Sequence, residues 1–152
     1  MFSLKIPFVG AAMLLAISAT SYAVAANSAT EVISVTLQDA TNDPAMVGMR
    51  LTADRASVKA GKVVFKVSND SKSVVHEMIV VKLADVGAEL PYDEKTSKVV
   101  EDKIVHLGEA ADLKPGAVKS HTLMLKPGAY MLMCNQPGHF HAAMRADLTV
   151  TQ

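Results

Sequence analysis

With 152 residues, half of them apolar and a fifth charged, the chain has material for one ordinary globular domain and little room for a second. Its 15 basic and 15 acidic side chains cancel, so no strong field marks a nucleic-acid or anionic-membrane partner. Trp is absent and aromatics make up only 5%, which leaves Val, Leu, Ile, Met and Ala to fill the core.

Residues 1–25 stand apart from that domain. Lys5 gives a basic start, an apolar run follows, and Ala23, Val24 and Ala25 form a small-residue cleavage site, the pattern of a secretory signal peptide. The alternative is an uncleaved anchor, but the run is shorter than the roughly 20 residues that cross a bilayer. Cleavage removes one base and none of the acids, leaving 14 bases against 15 acids. The expected mature unit is residues 26–152, exported or periplasmic, with no membrane span after cleavage.

From residue 32 onward, short Val-rich runs alternate with Gly, Pro, Asn and Asp. Strands are expected over residues 32–38, 47–53, 62–68, 75–83, 118–125, 129–134 and 145–151. Turns fall at residues 69–73 and at Lys126, Pro127 and Gly128. Between residues 84 and 115 lies a longer connection in which residues 93–102 carry helix formers and predict one short helix. About seven or eight strands with such an excursion read as an all-β Greek-key β-sandwich.

An exported chain normally pairs its cysteines, yet Cys134 is alone. Such a thiol is a small buried hydrophobe, an intermolecular partner or a metal ligand. Its surroundings favour the metal: Cys134, His139 and Met144 are separated by four residues each time, with Pro137 and Gly138 supplying a tight turn. A second imidazole has to come from elsewhere, and His76 opens an apolar strand upstream. One thiolate, two imidazoles and a weak axial thioether form the donor set of blue-copper electron-transfer sites. Structural zinc seldom recruits a thioether and is the weaker reading. Taken alone, His76 reads as a core histidine and Met144 as a core side chain.

The segment from Tyr130 to Met144, and in particular the spacing Cys134-x4-His139-x4-Met144, resembles the ligand loop of the cupredoxins, with rusticyanin-type spacing. The stretch from Ser57 to Asn69 is similar to the strand pair that precedes the first histidine ligand, and His76 falls where that ligand stands. The resemblance implies one type 1 copper cycling between Cu(I) and Cu(II) on His76, Cys134, His139 and Met144. It departs at Glu77, where several cupredoxins have Asn or Ser steadying the ligand loops. Strand alternation sends Glu77 to the face opposite His76, and the expectation is a solvated or ion-paired carboxylate; contact with the ligands' surroundings is the other reading.

His141 is read as an exposed accessory histidine, His106 and His121 as surface or turn residues, and Met131 and Met133 as packing. Pro137, Phe140, Ala142 and Ala143 are read as a small apolar docking patch around His139. The expected function is one-electron transfer between redox partners such as cytochromes, oxidases or reductases, by a monomer that is not an enzyme. The rival is a periplasmic copper-binding protein for copper tolerance or delivery, for which Met46, Met49 and His141 are the only pointers.

Overall fold

The computed structural model describes residues 29–39 and 48–152. The leader expected over residues 1–25 lies outside the described residues, as do Met46 and the start of the strand expected at residue 47. Eleven strands are described: β1 Glu31–Gln38, β2 Arg50–Ala53, β3 Ser57–Lys59, β4 Gly61–Asn69, β5 His76–Lys82, β6 Tyr92–Asp93, β7 Lys98–Val99, β8 Val105–Leu113, β9 Val118–Leu125, β10 Gly128–Met133 and β11 Arg145–Thr151. They form one sheet in the order β2-β1-β4-β9, a second in the order β3-β11-β10-β5-β8, and the small hairpin β6-β7. This is the β-sandwich that the strand pattern predicts.

Alternation builds the core between the sheets. Ile33, Val35 and Leu37 of β1, Val63, Phe65 and Val67 of β4, and Leu148 and Val150 of β11 all turn inward, each almost fully buried, while their neighbours face out. Each such side chain removed from water contributes about 1.5–3 kcal/mol before entropy is counted. β1 pairs parallel with β4 and β10 antiparallel with β5. The second pairing matters most for function, because it brings the end of β10 beside the start of β5.

β5 departs from alternation. Residues His76 to Val81 are all buried, because the long connection lies over the outer face of this sheet. Ile79, Val81, Leu83, Met131, Met133, Phe140 and Val99 form a second apolar cluster there, against which Leu90, Tyr92 and Ile104 pack.

The helix expected over residues 93–102 is not formed. Asp93 accepts hydrogen bonds from the Lys95 N–H (2.9 Å) and the Thr96 hydroxyl (3.1 Å), closing a turn between β6 and β7, and only Glu101–Lys103 makes a 3-10 turn. A short polar side chain that bonds its own downstream backbone competes with helix formation. The same connection contains β8, which the pattern does not reveal because register shifts against β5 interrupt its alternation. Among the described residues no helix is long and apolar enough to cross a membrane.

Candidate metal centre

Cys134 follows the last residue of β10 and His76 opens β5, so the antiparallel pairing places both at one end of the sandwich. The intervening turn returns the chain. Gly138 adopts φ +81°, a left-handed conformation that glycine reaches without Cβ strain. The His139 N–H bonds the Gln136 carbonyl at 2.9 Å and the Gly138 N–H bonds the Ser97 carbonyl at 2.7 Å. Cys134 Sγ lies 3.3 Å from His139 Nδ1 and 3.9 Å from His76 Nδ1, and the two Nδ1 atoms are 3.2 Å apart. All three residues are buried and their ligand atoms lie within 4.8 Å of one another.

Met144 is fully buried in the same core cluster as Cys134. Its carbonyl accepts the Cys134 N–H at 2.9 Å and its own N–H donates to the His139 carbonyl at 3.1 Å. Its backbone is thus tied to both residues.

Burial sets the metal-free electrostatics. It pushes the Cys134 thiol up to about 11, partly opposed by backbone N–H groups of Gln136 and Glu77. It also lowers both imidazoles, His139 further through repulsion from His76. At neutral pH the metal-free centre therefore holds a thiol and two neutral imidazoles, with one sulfur and two ring nitrogens turned toward each other. That donor set suits copper, since thiolate favours Cu(I) and imidazole suits both oxidation states.

Glu77 is not solvated and forms no ion pair among the described residues. It is 8% exposed, because the connection over the outer face of β5 covers the side to which alternation sends it. Its Oε1 accepts the Asn135 N–H at 3.1 Å and Oε2 accepts Gln136 Nε2 at 3.2 Å, while its backbone N–H donates to Cys134 Sγ at 3.5 Å. Burial raises its pKa. Asn135 continues the network: Oδ1 accepts the Val99 N–H (2.7 Å), and Nδ2 donates to the Val99 carbonyl (3.0 Å) and Glu101 Oε1 (2.7 Å). The only signal for Asn135 in the sequence is its place directly after Cys134.

Phe140 does not sit on a surface patch. It is 7% exposed, in ring contact with Tyr92 and under the Arg145 guanidinium at 4.6 Å, and it lines a cleft of about 610 Å³ with Tyr92, His141 and Arg145. Its ring completes the second apolar cluster. His141 is exposed and stacks on Tyr92 with centroids 3.8 Å apart. Met49 packs partly buried against the core. His106 is exposed on β8, 3.8 Å from Glu109, whereas His121 is half-buried, with its Nε2 beneath Gly108. One contact that sequence reasoning missed is Asp39, whose Oδ1 lies 3.3 Å from His76 Nε2.

The profile of copper-binding proteins of the plastocyanin/azurin family matches residues 26–151. The chain belongs to that family. This cupredoxin therefore takes one type 1 copper, and the buried thiol and imidazoles at the start of β5 and in the loop after β10 fit it. A search of curated proteins finds no match. Among solved structures, a dithionite-reduced auracyanin from Roseiflexus castenholzii is similar at 21% identity and a TM-score of 0.55, covering 82% of this chain and 98% of its own. A reduced rusticyanin is similar at 17% identity and a TM-score of 0.57, covering 80% and 83%. Rusticyanin from Thiobacillus ferrooxidans is similar at 19% identity and a TM-score of 0.52, covering 80% of each chain. These likenesses concern the fold.

Proposed function

We propose that this cupredoxin is an exported, monomeric one-electron carrier, without catalytic turnover of its own, in which His76, Cys134 and His139 hold the copper and Met144 is the weak axial ligand. The observation that carries the reading is the convergence of one thiol and two imidazoles, all buried, from separate segments of a rigid sandwich. Bound copper supplies a one-electron couple. The chain's own residues hold the donors: β5 and β10 fix His76 and Cys134, the Glu77 and Asn135 network clamps the loop, and burial excludes water. A site that cannot rearrange favours electron exchange with little reorganisation, as redox partners such as cytochromes, oxidases or reductases require. His139, 8% exposed, gives the shortest reach to solvent among the donors. Export is supported by the leader pattern of residues 1–25.

Among the described residues no specific observation favours the copper-handling alternative: His141 is engaged by Tyr92 and Met49 by the core. The test is to load the chain from Ala26 onward with one equivalent of Cu(II) and record the visible absorption, the electron paramagnetic resonance and a voltammogram. Intense thiolate-to-copper absorption that is lost in Cys134→Ser, with a reversible one-electron wave, is the expected result. A colourless protein would sink the ligand assignment, and copper surrendered to a chelator within the mixing time would replace the carrier with a delivery protein.

A further inference from the structure

Once Nδ1 of His76 faces Cys134 and His139, the other ring nitrogen has to be satisfied. The His76 side chain is fully buried, and a buried imidazole N–H without an acceptor is costly. Asp39 Oδ1 meets Nε2 at 3.3 Å. An ionised carboxylate only accepts, so the Asp39 contact assigns the proton to Nε2 and leaves Nδ1 of His76 as the lone-pair donor, and the proton between the two Nδ1 atoms in the metal-free protein then belongs to His139.

The carboxylate is held from several sides. Asp39 is the residue after β1, and its Oδ2 accepts the Lys72 N–H at 3.1 Å. The loop that contributes Lys72 is itself pinned. Asn69 Nδ2 donates to the Val74 carbonyl (2.9 Å) and the Leu113 carbonyl (2.7 Å), and Asn69 Oδ1 accepts the Ser71 N–H (3.0 Å). Ser71 Oγ accepts the N–H groups of Ser73 (3.2 Å) and Val74 (2.8 Å), and the Asp70 N–H bonds the Leu37 carbonyl at 2.8 Å. The end of β1 and the loop entering β5 are thereby locked together around the contact. The carboxylate thus accepts from the Lys72 backbone and faces the His76 ring.

We propose that Asp39 is a positioning residue that orients His76 and lowers the reduction potential of the copper by making its imidazole more electron-rich; this rests on the copper reading above. A carboxylate on the outer nitrogen of a metal-bound histidine raises ligand basicity and fixes the ring. The gain is larger for Cu(II) than for Cu(I), because the added negative charge interacts with one more unit of positive charge.

Loss of such a partner typically costs 10–100-fold in metal affinity. The nearly isosteric Asp39→Asn removes the charge and keeps an oxygen acceptor. The expected result, from separate Cu(II) and Cu(I) competition titrations and from voltammetry, is an about tenfold fall in the ratio of Cu(II) to Cu(I) affinity, equivalent to a rise of about 59 mV for a one-electron couple. The thiolate absorption should persist. An affinity ratio within about twofold of wild type overturns the proposal. A second readout needs neither copper nor the variant: nitrogen-15 spectra of the metal-free wild type should show His76 as the Nε2–H tautomer, and an Nδ1–H tautomer overturns the proposal by itself. A wild-type chain that develops no thiolate absorption takes away the copper reading and this proposal together, whereas a normal spectrum with an unmoved potential in Asp39→Asn takes away the proposal alone.

Discussion

Copper uptake by this protein should be a proton-coupled reaction whose slope against pH identifies one residue. A metal-bound cysteine is a thiolate, so the proton on Cys134 has to leave. With the thiol pushed up to about 11, only about one molecule in ten thousand is ionised at pH 7, which lowers the apparent affinity by about 5 kcal/mol relative to the ionised site. Burial holds both imidazoles below their ordinary range, so between pH 7 and pH 9 they are neutral and contribute nothing to the slope. The affinity for copper, measured by chelator competition and corrected for the chelator's own titration, should rise about tenfold per pH unit across that window, with about one proton released per metal bound. In Cys134→Ser the slope should vanish. A pH-independent wild-type affinity between pH 7 and pH 9 would refute the reasoning, because it would mean that the thiol is already ionised in the metal-free fold.

Glu77→Ala leaves the buried Asn135 N–H without its acceptor and should cost about 1–3 kcal/mol in denaturant unfolding, whereas Glu77→Gln retains an oxygen there. Because the folded-state pKa of Glu77 is raised by burial, the stability linked to its bound proton is present below about pH 4.5 and is lost as pH rises through the folded value. Metal-free Glu77→Gln should therefore gain on wild type as pH climbs through that window, and parallel stability curves would contradict this. Asn135→Ala strips Val99 of both partners and should loosen the β6–β7 hairpin, with faster amide exchange at Val99 as the check. Gly108→Ala should destabilise the sandwich by about 1–3 kcal/mol, since the added Cβ would run into the His121 ring at φ +149°. The double change with His121→Ala should recover the steric part only, and full recovery would show that the backbone bears no strain.

The proposed donor loop was legible in the sequence because its residues are local. Cys134, His139 and Met144 lie within eleven residues, around a turn whose Pro137 and Gly138 announce themselves, and a lone cysteine calls for an explanation. Most strands were legible for a related reason: alternation in β1, β4 and β11 records which side of each strand the core occupies. β5 was legible as a strand, but not the reason for its unbroken apolar run, which is that the connection of residues 84–104 covers its outer face. That cover also decided Glu77 and Phe140. Period-two reasoning assigns a side chain to a face and is silent on whether the face meets water or another part of the chain. The partnership of Asp39 with His76, across 37 residues, and of Asn135 with Val99, across 36, has no local signature at all. Ligand type, spacing and turn chemistry are properties of contiguous residues and were determined by the sequence itself; the packing of one segment over another, which decides what is buried and what each buried polar group must bond, emerges only when the two sheets and their connection close on each other.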